Sequence, residues 1–373
     1  MHNSAKMNRR WICSDVWMDI LPSFDRAQLG LKLALLSYRF DALVDTHFNG
    51  KSELTIWRLI RIRKDTSGPK PKICVQLDAN NNYIDDDDNF VDFPFSDRQL
   101  PNKICFKSLW IEYIDHSIIT FLHSNKRIFD RSGTNLYLSV YTDVQPIWNA
   151  FVRQIWPIFA GSIRHLSFDA GDPLDNLRSR TSPTILTDLD QLNSIDSGAL
   201  LPDGIADDGP NATAGQALSK WLHTPTKNGQ PKRLYRNEYL GANLEWVDNF
   251  KETFLRATTS VSYTIQLYFY TTTMPSEPFE LVNERTKEKL TLKQKSEELN
   301  ELAVVYNWRL ERCPIGETAT AAVPWKDRHN SDAKANLNNI IFNLWSFNKS
   351  IGPLSPPAEE EEEADQSIEN VVV

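Results

Sequence analysis

Four groups of residues have types and spacings that chemistry could use. Asp85, Asp87 and Asn89 stand where the first three oxygen ligands of a calcium loop would stand. Phe90 occupies the position that such a loop gives to glycine, and Ser96 stands in place of the bidentate glutamate. The run therefore reads as a solvated acidic loop. His116 and His123, seven residues apart, share a helix face. No third ligand stands at a useful spacing, so surface or cap roles suit them better than zinc. Asp115 beside His116 reads as the start of a helix, where a carboxylate is favoured by the dipole. The basic cluster Arg58, Arg61, Arg63 and Lys64 falls on a strand, where such charges blunt an exposed sheet edge. The phosphate-cradling, nucleophile-elbow and zinc-protease patterns GxGxxG, GxxxxGK[ST], GxSxG and HExxH are absent from the sequence. The expectation is a chain that is not an enzyme, with no catalytic residue, no cofactor and no metal.

Charge narrows the class further. The 373 residues include 41 basic and 49 acidic ones, a net of −8. That balance argues against nucleic acid as the main partner, since phosphate neutralisation needs a basic surplus. Seven of the acids lie in 359–369 and four in 85–88, so the rest of the chain carries 41 basic residues against 38 acidic ones. The four cysteines form no CxxC pair, which suits a reducing compartment. No apolar window reaches the roughly 18 residues of a membrane span, and the acids in WICSDVWMDI interrupt a signal-peptide core. A cytoplasmic or nuclear protein without a membrane partner is expected.

The elements that would position functional residues come in three zones. Residues 11–48 are densely apolar with helical spacing. Val16, Trp17, Ile20 and Leu21 form one helical face, with Ser14 as N-cap and Pro22 as terminator. Asp25 with Gln28 resembles a capping box opening a second helix, which would bury Leu29, Leu33 and Leu36 and leave Leu31 and Leu35 off the stripe. A third helix begins near Ser37, with Phe40, Leu43 and Val44 inward. Three short helices are too small a core to stand alone and need something to dock on.

Residues 53–316 carry a repeated pattern, apolar-x-x-apolar-x-apolar. It appears at Leu54, Trp57 and Leu59, at Phe106, Leu109 and Ile111, at Leu136 and Leu138, at Ile163, Leu166 and Phe168, and at Leu189, Leu192 and Ile195, with weaker copies at Leu234 and Ile265. The anchors Leu109, Leu136, Leu166 and Leu192 are spaced by 27, 30 and 26 residues, near the period of leucine-rich repeats. Helical stretches over 116–129, 146–159, 173–189, 211–223 and 243–257 separate the strands. The reading is an α/β solenoid with parallel strands, broken by inserts at 64–103 and 198–209. Phe279 to Leu281 and Leu290 to Leu292, flanking NERTKEK, predict a hairpin, and 304–312 another strand. Residues 317–350 read as a C-terminal segment with a last helix over 332–345, and 351–373 as a disordered acidic tail. Outward positions of the repeat strands, Trp110, Tyr137, Ser167, Tyr235 and Gln266, with Glu112, Ser139 and Tyr268 beside them, would form a recognition face. Trp110, Tyr137, Tyr235 and Tyr268 are its candidate target-binding residues.

The first zone, ICSDVWMDILPSFDRAQLGLKLALLSYRFDALVD, resembles an F-box. Val16, Trp17, Ile20, Leu21, Leu29, Arg39, Phe40, Leu43 and Val44 fit its pattern, while Ile12 and Cys13 stand where leucine and proline are usual. FKSLWIEYIDHSIITFLHSNKRIFDRSGTNL, GQALSKWLHTP and PFELVNERTKEKLTLK extend a likeness to a large family of F-box-like proteins of plant-parasitic nematodes, over about residues 10–316. The resemblance implies a substrate-recognition subunit of a Skp–cullin–F-box ubiquitin ligase. Ile12, Cys13, Val16, Trp17, Ile20, Leu21 and Leu29 would then bind the Skp adaptor, and through it a cullin, while the repeats hold a protein target. The alternative is an interaction module of the same fold without ligase coupling.

Overall fold

The computed structural model describes residues 12–24, 28–49, 55–64, 71–76, 90–96, 99–100, 104–129, 133–140, 145–168, 173–198, 200–227, 229–238, 245–271, 277–299, 304–315, 338–344 and 352–354. The acidic run 85–88 and residues 355–373 lie outside them. Strands are β1 (Thr55–Lys64), β2 (Pro71–Gln76), β3 (Phe90–Pro94), β4 (Ile104–Ile111), β5 (Thr134–Val140), β6 (Ile163–Phe168), β7 (Ser194–Asp196), β8 (Lys232–Glu238), β9 (Tyr263–Thr271), β10 (Phe279–Asn283), β11 (Glu288–Leu299), β12 (Val304–Pro314) and β13 (Asn338–Leu344). All 13 join one sheet in the order β10-β11-β12-β9-β8-β7-β6-β5-β13-β4-β1-β2-β3. The architecture is mixed α/β.

One apolar ladder shows why these strands associate. Ile60, Leu109, Ile340, Leu136, Leu166, Ile195, Leu234, Ile265, Leu310 and Leu292 are successive register partners across ten adjacent strands. All ten are buried. Period-2 alternation puts these anchors on one face and their chain neighbours on the other. The helices cover the anchor face: α1 (Ser14–Ile20) and α2 (Tyr38–Asn49) belong to the N-terminal unit, then α3 (His116–Ser124), α4 (Lys126–Phe129), α5 (Gln145–Ala150), α6 (Trp156–Phe159), α7 (Pro173–Arg180), α8 (Ile185–Asp188), α9 (Ala214–His223) and α10 (Glu245–Arg256) connect the strands. β5 to β9 pair in parallel, each with the next, and right-handed crossovers advancing in one direction stack their helices on one side. Ring contacts mark that side: Phe159 meets Phe129 at 4.8 Å, and Phe250 meets Tyr263 at 6.2 Å.

The repeat helices start and stop for local reasons. Asp115 caps α3, its carboxylate accepting from the Ile118 amide at 2.9 Å, and Thr213 with Gln216 forms a reciprocal capping box on α9. The helix expected over 146–159 is interrupted by a π-turn, Phe151–Ile155, just before Pro157. A proline there cannot donate to the preceding turn, and the widened winding absorbs the loss. The hairpin expected at 279–292 is β10–β11.

Several sequence expectations are corrected. Residues 338–344, expected within a helix, form β13, parallel to β4 on one side and β5 on the other. NNIIFNL places apolar residues at spacings compatible with either period, and two waiting strands decide the outcome. The insert 64–103 adds β2, antiparallel to β1, and β3, antiparallel to β2. Consequently β1 lies inside the sheet, and its basic residues do not blunt an edge; Arg61 is buried instead. The C-terminal tail does not leave the fold at 351, because the Gly352 amide donates to the Ile114 carbonyl and the His116 amide to Pro353, both at 2.7 Å.

In the N-terminal unit, Cys13 rather than Ser14 precedes α1 as its N-cap, with no side-chain cap bond. The expected second helix is a π-turn, Leu29–Leu33, followed by a 3-10 turn, Ala34–Leu36. These windings change the angle per residue, so Leu31 is buried and Leu36 is exposed, the reverse of a regular stripe. The capping box expected at Asp25 lies partly outside the described residues. Buried Leu29, Leu31, Val44 and Phe48 join the same core as the sheet, and the π-turn packs against β3.

Candidate protein-binding surfaces

Two surfaces present side chains that the core does not use. The first is the N-terminal unit. Trp17 packs edge-on against Phe40 at 4.8 Å between ring centroids, and the Arg39 guanidinium donates to the Ile12 carbonyl, so the start of α1 is tied to α2. Of the candidate adaptor-binding residues, Leu21 and Leu29 are buried, Trp17 and Ile20 are half-buried, and Ile12, Cys13 and Val16 are exposed. Of the nine large apolar side chains exposed among the described residues, five, Ile12, Val16, Phe24, Leu36 and Tyr38, belong to this unit. A short segment holding five of nine such side chains has the physical character of a candidate docking surface. Phe24, Leu36 and Tyr38 escaped the sequence reading because a regular helical stripe hides Leu36 and leaves Phe24 and Tyr38 in turns.

Burial raises the carboxyl of Asp41 on α2, Asp45 adds to the rise, and Arg127 of α4 opposes it. Arg127 therefore lies close enough for its charge to act on α2.

The second surface is the sheet face opposite the helices. Cys74, Arg61, Trp110, Ile341, Tyr137, Ser167, Asp196, Tyr235, Gln266, Arg309 and Lys293 form a second ladder of register partners on that face. The four aromatic candidates are not equivalent in it. Trp110, Tyr137 and Tyr235 are half-buried on this face. Tyr268 is a correction: it is 2% exposed, and its hydroxyl accepts from Gln266. A tyrosine that lies along its own strand onto a neighbour two residues away loses the exposure that alternation implies. Ser167, Ser139 and Gln266 are buried as well.

Trp110 and Tyr137 stand two strands apart with Ile341 of β13 between them. The sequence reading missed Ile341, Asn339 and Asn343 because it placed their segment in a helix. The Arg61 guanidinium lies 4.6 Å from the centre of the Trp110 ring and makes a 3.2 Å charge contact with Glu112. Arg309 and Glu311 form a second ion pair on this face, at 3.0 Å. Paired charges leave aromatic and amide groups as the main features of the strip, the material of protein recognition.

The strongest electrostatics lie on the covered side. Glu288 and Arg312, both buried, pair at 2.6 Å, and Glu288 also accepts from Ser260 and from the Val261 amide. Arg312 donates further to the Thr259 carbonyl at 2.8 Å. Nearby, burial pushes His223 down to about 4 and Lys232 down to about 8. His223 Nδ1 donates to Ser219 at 2.7 Å, and Lys232 to the Thr224 carbonyl at 2.6 Å. Glu288, Arg312 and Lys232 find their partners inside the fold, and the Arg312 guanidinium lies 5.3 Å from the centre of the Phe254 ring, so the cluster ties α9 and α10 to the sheet.

His116 and His123 are apart in role as well as in sequence. His116 begins α3, and His123 Nε2 lies 2.8 Å from the Gln154 carbonyl. Among the described residues no three His, Cys, Asp or Glu side chains are placed to hold a metal ion, and no helix is long and apolar enough to cross a membrane. The chain matches no family model, no curated protein and no solved structure.

Proposed function

We propose that this chain is the non-catalytic substrate-recognition subunit of a Skp–cullin–F-box ubiquitin ligase. In this reading residues 11–48 are an F-box-like unit, and residues 53–316 are a leucine-rich-repeat-like solenoid. The helical unit docks on the Skp adaptor and through it reaches the cullin. The open sheet face holds a protein target. The chain supplies no reacting group; it accelerates ubiquitin transfer by holding a target lysine near a thioester formed elsewhere, which converts a bimolecular encounter into a local one.

The observation that carries the reading is the concentration of exposed apolar side chains, Ile12, Val16, Phe24, Leu36 and Tyr38, in the segment that resembles an F-box. The test is binding of purified Skp adaptor to the full chain, compared with the exposed-residue pair Val16→Glu and Leu36→Glu. Wild-type binding with at least a tenfold loss in the pair is expected. No binding by the wild-type chain would sink the reading.

Cys13 supports a second reading, an interaction module without ligase coupling. It stands where the F-box pattern has proline, and it is exposed with φ −67 and ψ 159. That φ is the one proline enforces, so Cys13→Pro fits the backbone as it is. Restored adaptor binding in this variant alone favours a lapsed ligase connection.

A further inference from the structure

β4 and β5 are the two strands of one β–α–β unit, joined through α3 and α4, yet they do not touch in the sheet. β13 lies between them, parallel to both. Each later consecutive pair in the parallel run, from β5 to β9, adjoins directly. Among the described residues β13 is therefore the only sheet connection between a four-stranded block, β3-β2-β1-β4, and an eight-stranded block, β5-β6-β7-β8-β9-β12-β11-β10. The docking unit packs on the first block, and most of the open face belongs to the second.

The gap has a defined chemistry. On its covered side Ile340, Phe342 and Leu344 are fully buried, and Phe342 meets Phe151 at 5.1 Å and Phe159 at 6.1 Å. On its open side stand Asn339, Ile341 and Asn343, with Asn135 donating to Asn339 at 2.7 Å. Pairing is longer on one flank: 338–344 pairs with β5, whereas only 339–342 pairs with β4. Past the strand, 352–354 latch onto the β4 side, at Ile114 and His116. Gly352 suits this position, because a Cβ would run into the Tyr113 side chain. Five strands separate β12 from β13 in the sheet, roughly 29 Å at the usual strand spacing. The twenty-two residues 316–337 reach beyond about 70 Å when extended, so the tether does not force the strand into place.

We propose that the space between β4 and β5 is a strand-acceptor site, filled in cis by residues 338–344 as a separable clasp that joins the two blocks into one sheet. The segment it takes is extended, runs parallel to both flanking strands, carries bulky apolar residues at alternate positions on one side and uncharged amide or aliphatic residues on the other. Occupancy in cis is favoured by the high effective concentration that a tether supplies. Main-chain pairing gives such a site its affinity, and the alternating side chains give it selectivity.

The test uses the full chain and does not depend on the ligase reading. A specific protease site is placed within 320–330, the folded protein is cut, and a fluorescent synthetic peptide of residues 336–356 is added. The expected result is one-for-one replacement of the native fragment by the peptide. Native-state hydrogen exchange of the uncut chain should show 338–344 and 108–111 opening together, at least tenfold faster than β6 and β8. Phe342→Asp should release 338–344 and 352–354 from protection while β6 and β8 stay protected. Three results would overturn the proposal: a cut protein that keeps its fragment and excludes the peptide, exchange of 338–344 only with the whole sheet, or loss of all protection in Phe342→Asp.

Discussion

The two faces of the one sheet use the same residue types for opposite ends. On strand β12 alone, Arg312 points to the helices and pairs with buried Glu288, while Arg309 points the other way and pairs with Glu311 at the open surface. The first pair is sealed from water and held by further bonds to Thr259, Ser260 and Val261. The second keeps side chains 14% and 12% exposed. A buried charge stripped of its partner cannot regain hydration, whereas one at a surface can. The Glu288–Arg312 pair thus depends wholly on its protein partners, whereas the Arg309–Glu311 pair keeps a partial route to water.

The largest expected effect breaks the covered face. Glu288→Ala leaves Arg312 buried and unpaired and should cost about 3–5 kcal/mol, read as a shifted midpoint in urea. A loss below about 1 kcal/mol would show that water reaches the pair. Leu138→Ala, a fully buried anchor on the same face, should cost about 2–5 kcal/mol as a core truncation. Its neighbour on the other face, Tyr137→Ala, should cost about 1 kcal/mol or less and should weaken target binding. Equal losses at 137 and 138 would erase the distinction between the faces.

An acid titration sharpens the comparison. His223 sits on the covered side with its imidazole pushed down to about 4, against an unfolded value of about 6.5. Between these values the unfolded chain holds the extra proton, so stability rises with pH through the window and falls as pH drops from about 6.5 to 4. Full protonation should cost about 3 kcal/mol. His223→Gln should flatten that limb of the stability profile, and an unchanged slope would assign it to other groups. The smallest effect belongs to a pair that stands in water: Lys293 lies 4.0 Å from Glu280 with both side chains more than half exposed, so Lys293→Ala should change stability by less than about 1 kcal/mol, as calorimetry can show.

The residues whose roles were legible are those with short-range causes. Leu109, Leu136, Leu166 and Leu234 declared themselves as strand anchors because alternation and a near-constant period need no knowledge of neighbours. Asp115 marked a helix start through a bond made within three residues. The aromatic strip was legible as far as Trp110, Tyr137 and Tyr235 on the outward side of their strands. Its central members were not: Ile341 reaches the strip only through β13, whose register partners on β5 lie about two hundred residues earlier. No local signal separates helix from strand in NNIIFNL. Leu36 was lost for a different reason, since a π-turn followed by a 3-10 turn moves the apolar stripe off the regular helical angle.

By itself the sequence determined the anchor strands from β4 to β9 and the helical stretches between them, the helix start at Asp115, the concentration of acid in 85–88 and 359–369, and the apolar surplus of residues 11–48. All of these follow from side-chain type and spacing along a few turns of chain. Only the tertiary structure decided that β1 is flanked on both sides, that Tyr268 is buried while Tyr137 is not, and that the last strand lies between β4 and β5. Those outcomes depend on which edges are free when the chain closes and on hydrogen bonds between residues far apart in sequence, and no local pattern encodes them.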